Sequence, residues 1–126
     1  MNESKNATRH AELEAIDAAL RWIDENQAGD YRSVFSKTEV WVNVEPCIQC
    51  ASALQLSGFV KVYYGAANDR FGGCGSVLDV CRCDDRFPAL QCVGDIRSEE
   101  AIALLKEFYR MENPNAPCPK SKAGRK

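Results

Sequence analysis

The chain has 126 residues, of which 45% are hydrophobic and 27% charged, proportions of one water-soluble globular domain rather than a disordered or fibrous chain. No apolar run approaches the roughly 18 residues of a membrane span, and Met1-Asn2-Glu3-Ser4-Lys5 has no apolar segment, so neither a membrane protein nor a secreted one is expected. Net charge is −2, and removing the four cations of the C-terminal end takes the remainder to −6, so an acidic body carries a short basic arm.

In chain order, Thr8 stands as the expected N-cap of a helix running to about Asn26. Leu13, Ile16, Leu20 and Ile23 give that helix one apolar face. Residues 27–37 are polar, contain Gly29 and read as loop. Val40-Trp41-Val42-Asn43-Val44 is short and β-branched and predicts a buried strand. Pro46 opens a second helix carrying Cys47, Cys50, Ala51, Leu54 and Leu56, and Gly58 ends it. Residues 59–65 predict another buried strand. Strand, helix, strand at this spacing is a βαβ unit, so the two strands should be parallel. Residues 68–92 hold glycines at 72, 73 and 75 and read as loop with one short element at most. Ser98 is the expected cap of a last helix to about Tyr109, with Ala101, Leu104, Leu105 and Phe108 inward. Trp22 and Trp41 are expected in the core. A break at Asn113-Pro114-Asn115-Ala116-Pro117 divides a domain over 1–112 from a tail over 113–126.

The chemistry concentrates at two places. The sequence has one histidine, His10, followed two residues later by Glu12, and Pro46-Cys47-Ile48-Gln49-Cys50 lies downstream. His-x-Glu with Pro-Cys-x-x-Cys is the signature of zinc nucleobase deaminases. Cys47 and Cys50 are three apart on a helix, so both thiolates share a face, and the helix start stabilises their charge. His10 supplies a third ligand and leaves a fourth position for water, which marks catalytic rather than structural zinc. Residues two apart on a helix point about 200° apart. His10 and Glu12 can therefore face one ion only from a helix end, so two helix N-termini should converge on a single zinc ion. Zinc lowers the pKa of its water, and Glu12, not a ligand, moves the protons. A redox Cys-x-x-Cys pair would have no use for His-x-Glu, and Cys81-x-Cys83 is too tight for the usual zinc spacing. Seven cysteines without a secretory signal argue against a disulfide framework. Cys74, Cys81, Cys83, Cys92 and Cys118 are expected to be non-ligands. Lys120, Lys122, Arg125 and Lys126 suit a polyanion such as RNA, the alternative being a solvated end.

Residues 6–12 and 44–51, with Arg70-Phe71-Gly72-Gly73-Cys74-Gly75-Ser76-Val77 and Glu112-Asn113-Pro114-Asn115-Ala116-Pro117, resemble the catalytic subunits of the eukaryotic tRNA wobble-adenosine deaminases. The first two segments fit the wider cytidine-deaminase superfamily, and the last two are more specific. The resemblance implies a cytidine-deaminase-like three-layer α/β/α sandwich and hydrolysis of adenosine to inosine at the anticodon wobble position. It implies zinc on His10, Cys47 and Cys50, and Glu12 as the catalytic group. The partners it implies are tRNA, with the basic tail in contact, and a related non-catalytic subunit in a heterodimer inside the cell, in nucleus or cytoplasm. The family begins with a helix and a β-hairpin that have no counterpart before His10. The fold is therefore expected without its first helix and first two strands, and the chain is expected to be a weak enzyme alone. Gln49 stands where the family often has an apolar residue. The alternatives are a free cytidine, dCMP or nucleobase deaminase and a non-catalytic zinc-binding assembly subunit.

Overall fold

Alternation of β-branched and aromatic residues at 39–44 and 61–66 builds two strands, and the segment between them is long enough for a helical crossover. The computed structural model describes residues 6–82 and 86–111. Its elements are α1 (Ala11–Glu25), α2 (Tyr31–Phe35), β1 (Glu39–Val44), α3 (Ile48–Ser57), β2 (Lys61–Ala66), a 3-10 turn (Val80–Arg82), β3 (Gln91–Val93) and α4 (Ser98–Arg110). Among the described residues the sheet has order β1-β2-β3. Both pairings are parallel, with Glu39 opposite Lys61 and Lys61 opposite Gln91. The expected parallel βαβ unit is thus present. Gly58 ends α3 in the left-handed region at φ 95°, as expected of a glycine C-cap.

The side chains of the strands divide by their alternation. Val40, Val42 and Val62 meet Ile16, Ile23, Ala51 and Leu54 of α1 and α3. On the opposite face α4 lies over β2. A Cβ placed on Gly65 would stand 2.7 Å from the Cβ of Ala101, so glycine is what lets helix and strand touch there. Helices on both faces of a parallel sheet make the expected three layers. Each fully buried side chain such as Leu54, Phe35 or Val62 contributes roughly 1.5–3 kcal/mol by leaving water.

Several expectations need correcting. The polar stretch 27–37 contains α2, whose N-cap Asp30 accepts from the Ser33 amide at 3.0 Å. Phe35 ends that helix 1% exposed and stacks on Phe59 with centroids 4.3 Å apart. Thr8 is not the cap of α1; His10 is, and the Thr8 hydroxyl donates to Asn6 Oδ1 instead. Likewise Arg97, not Ser98, is the N-cap of α4. Residues 68–92 hold both the 3-10 turn and the start of β3. Neither tryptophan is core: Trp22 is 56% exposed and Trp41 62%. Trp22 is one residue, about 100° of helix, away from buried Ile23. Trp41 lies on the α4 side of outer strand β1, stacked on Tyr63 at 4.1 Å, while α4 covers β2. β1 is accordingly half-covered rather than buried. Of the four α4 residues expected inward, Ala101 is buried, whereas Leu104 and Phe108 are more than half exposed. Leu20 and Leu56 also face outward. The later turns of α4 stand off the sheet across a groove of about 900 Å³ lined by Tyr64, Ile102, Leu105 and Tyr109.

Candidate metal centre and active site

His10 ends an extended segment as the N-cap of α1, and Cys47 does the same for α3. Two helix N-termini therefore converge, as the 200° argument requires. His10 Nδ1 lies 3.4 Å from Cys47 Sγ and 3.5 Å from Cys50 Sγ, and the three donor atoms all lie within 4.8 Å of one another. A tetrahedral zinc with Zn–N near 2.0 Å and Zn–S near 2.3 Å would hold nitrogen and sulfur about 3.5 Å apart. The donor set thus fits zinc in both chemistry and spacing. Cys50 is buried, and His10 and Cys47 are half-buried, so one side of the cluster is open.

Burial pushes the Cys50 thiol far above its ordinary range, and the neighbouring Glu12 carboxylate and Cys47 push the same way. Glu12, half-buried in the first turn of α1, is near enough to Cys50 for its charge to oppose ionisation of that thiol. A negative group beside two sulfur donors is an arrangement that a dication stabilises. The cluster does not share residues with the 900 Å³ groove, which lies at the carboxyl ends of β1 and β2.

The turn before α1 is held from several sides. Arg9 Nε donates to Glu14 at 2.6 Å, and its Nη2 pairs with Asp17. Asn6 Oδ1 accepts from the Thr8 amide. Gln49 Nε2 reaches the Thr8 carbonyl at 3.4 Å, so Gln49 ties α3 to the turn carrying His10.

Glu45 is the residue that reading the sequence assigned no role. It is 1% exposed, and its carboxylate accepts backbone N–H bonds from Asn68 at 2.9 Å, Cys74 at 3.0 Å and Ser76 at 3.1 Å. Burial pushes its pKa up, but hydrogen bonds from Ser76 and from the three amides outweigh that and hold it below the ordinary value. The loop that Glu45 gathers then serves α3: Ile48 N–H donates to the Phe71 carbonyl and Gly73 N–H to the Pro46 carbonyl, both at 2.9 Å. Cys47 makes no side-chain cap, so this loop satisfies the helix start and leaves the sulfur free. The signal was a carboxylate directly before Pro-Cys in a chain whose glycines cluster 27 to 30 residues later.

Lys120, Lys122, Arg125 and Lys126 lie outside the described residues, as does the Glu112 to Pro117 segment. No helix among the described residues is long and apolar enough to cross a membrane.

Residues 1–66 match the family model for the cytidine and deoxycytidylate deaminase zinc-binding region. The chain belongs to that family. A tRNA-specific adenosine deaminase 2 of Xenopus laevis is 50% identical over 128 residues, covering all of this chain and 71% of that protein. One of Danio rerio is also 50% identical, over 95% of this chain and 56% of its own length, so the chain spans little more than half of that relative. A solved structure from a study of A-to-I editing by tRNA:A34 deaminases at the wobble position shares the fold. Its TM-score is 0.58 at 21% identity, over 81% of this chain and 69% of that one. The deaminase family match falls on the segment that carries His10, Glu12, Cys47 and Cys50.

Proposed function

We propose that this chain is the catalytic chain of a tRNA adenosine deaminase, converting adenosine to inosine at the wobble position by hydrolysis. The convergence of His10, Cys47 and Cys50 beside Glu12 carries the reading. Half-identity to tRNA-specific adenosine deaminase 2 over the chain's length supports the choice of substrate.

In this reading His10, Cys47 and Cys50 hold one zinc ion and leave one position open. Zinc, when bound, supplies the acidification of a water molecule near neutral pH. Glu12 takes one proton from the water that attacks C6 of adenine and passes it to the ring nitrogen, then takes the second from the new C6 hydroxyl and passes it to the amino group, which leaves as ammonia when the C–N bond breaks. Its place beside Cys50, close to the ligands without being one, suits repeated proton transfer over a short path. Lys120, Lys122, Arg125 and Lys126 add phosphate contacts, and a related non-catalytic subunit completes a heterodimer inside the cell.

The test is to incubate the chain, with and without a co-expressed deaminase-like subunit, with tRNA bearing a wobble adenosine and with free adenosine and cytidine. Inosine in tRNA and no reaction of the free nucleosides is the expected outcome. Preferential deamination of free nucleosides, or none of any substrate with the partner present, overturns the reading.

A further inference from the structure

A second convergence of sulfur stands apart from the first. Cys74 lies in the glycine loop after β2, Cys81 in the 3-10 turn and Cys92 on β3, yet their Sγ atoms all lie within 4.8 Å of one another. Cys92 Sγ is 3.3 Å from Cys81 Sγ. We propose that these three thiols form a second metal site, distinct from the His10 centre, that takes zinc(II) with a solvent-derived fourth ligand and so pins the β2–β3 loop against the sheet.

The geometry favours a ligand set over the two simpler readings of the cluster. Two thiolates holding one zinc at about 2.3 Å stand roughly 3.8 Å apart, so the Cys81–Cys92 pair at 3.3 Å is close to that separation and all three sulfurs lie within 4.8 Å. A disulfide joins two sulfurs and has no use for a third within 4.8 Å of both. Cysteines packed merely as small apolar side chains have no reason to turn three sulfurs toward one point. Cys81 is 2% exposed, while Cys74 and Cys92 are half-buried, so the fourth tetrahedral position opens to solvent.

The backbone around the three sulfurs is already fixed. Cys74 bridges Asp79, and Val80 N–H donates to the Gly73 carbonyl at 3.1 Å. Buried Gln55 of α3 donates to the carbonyls of Cys81 and Pro88, both at 3.2 Å. Ions favour such preformed sites because little chain entropy is lost on binding. The second site also bears on the first, because Cys74 N–H donates to Glu45, whose chain runs directly into Pro46 and Cys47. An expectation of non-ligand roles for Cys74, Cys81 and Cys92 rested on spacing alone, and spacing does not register residues brought together from a loop, a turn and a strand.

The test is zinc content of the full chain, purified with zinc under reducing conditions, by elemental analysis and native mass spectrometry. The parent should carry two ions and Cys81→Ala one. The double variant Cys47→Ser, Cys50→Ser should keep one ion, with X-ray absorption showing a shell dominated by sulfur at about 2.3 Å. A parent with one ion, or a double variant with none, overturns the proposal. Two thiols missing on titration of the denatured, chelator-treated parent prepared without reductant, the mark of a disulfide, overturn it as well. The double variant leaves the second cluster untouched, so it decides the matter even where Cys81→Ala fails to fold.

Discussion

The Glu45 carboxylate fills the space that a side chain on Gly72 would need: a Cβ at that position falls 2.6 Å from the carboxyl carbon and both oxygens. The carboxylate cannot easily step aside, because three amides hold it. Gly72→Ala is therefore expected to destabilise the chain by about 1–3 kcal/mol, the usual cost of overpacking. Thermal or denaturant melting measures this. A change below about 0.5 kcal/mol would show that the loop relaxes freely.

Glu45→Gln keeps the shape but replaces one acceptor with an amino group that faces N–H donors. At pH 7 the expected cost is about 1–3 kcal/mol. The folded pKa of Glu45 lies below its ordinary 4.5, so its contribution is present above that value and fades as pH falls through the folded pKa. The stability gap between parent and variant should then be constant from pH 7 down to about 5 and shrink below about 4.5. Urea titrations across that range check it. A gap that widens on acidification would reverse the sign of the argument.

The sequence was most legible where local pattern and chemistry coincide. The convergence of His10, Cys47 and Cys50, the parallel βαβ unit and the Gly58 stop all follow from spacing within one or two elements. What it concealed depends on contacts between distant segments. Phe35 sits in a polar stretch, and only its stacking on Phe59 makes α2 part of the core. Trp41 and Phe108 are as apolar as any core residue, and their exposure follows from where α4 crosses the sheet. Glu45 appears as an ordinary charge until the amides of residues 68, 74 and 76 are folded around it. Composition likewise could not distinguish three scattered cysteines from three gathered ones.

Glu12 and the metal ligands should separate cleanly by variant. Glu12→Gln preserves a side chain of equal size that can neither take up nor release a proton near neutral pH, so zinc content should hold while deamination falls by about 10²–10⁴-fold or more. Cys50→Ser should lose zinc from the first site and activity together, since only His10 and Cys47 of the donor set then remain. Elemental analysis beside a single-turnover inosine assay reads both. Loss of zinc in Glu12→Gln, or activity within tenfold of the parent, would remove Glu12 from the proton-transfer role.

The basic end should act through charge rather than shape. Lys120, Lys122, Arg125 and Lys126 are four cations within seven residues on a body that is otherwise acidic. An acidic body repels nucleic acid at long range, so a cationic arm has a disproportionate effect on encounter. Each phosphate contact contributes roughly 0.7–0.9 to the slope of log affinity against log salt. Replacing all four residues with Ala should flatten that slope by up to about three units and weaken every tRNA alike, because phosphate contacts carry no sequence information. The zinc content and the deamination rate at saturating tRNA should stay near the parent, since none of the four is among the zinc donors or is the proton-transfer group. Filter binding over a salt series, with two tRNAs of different anticodon, measures both the slope and the uniformity. An unchanged slope would show a solvated end. A loss confined to one tRNA would mean that the arm reads structure rather than charge.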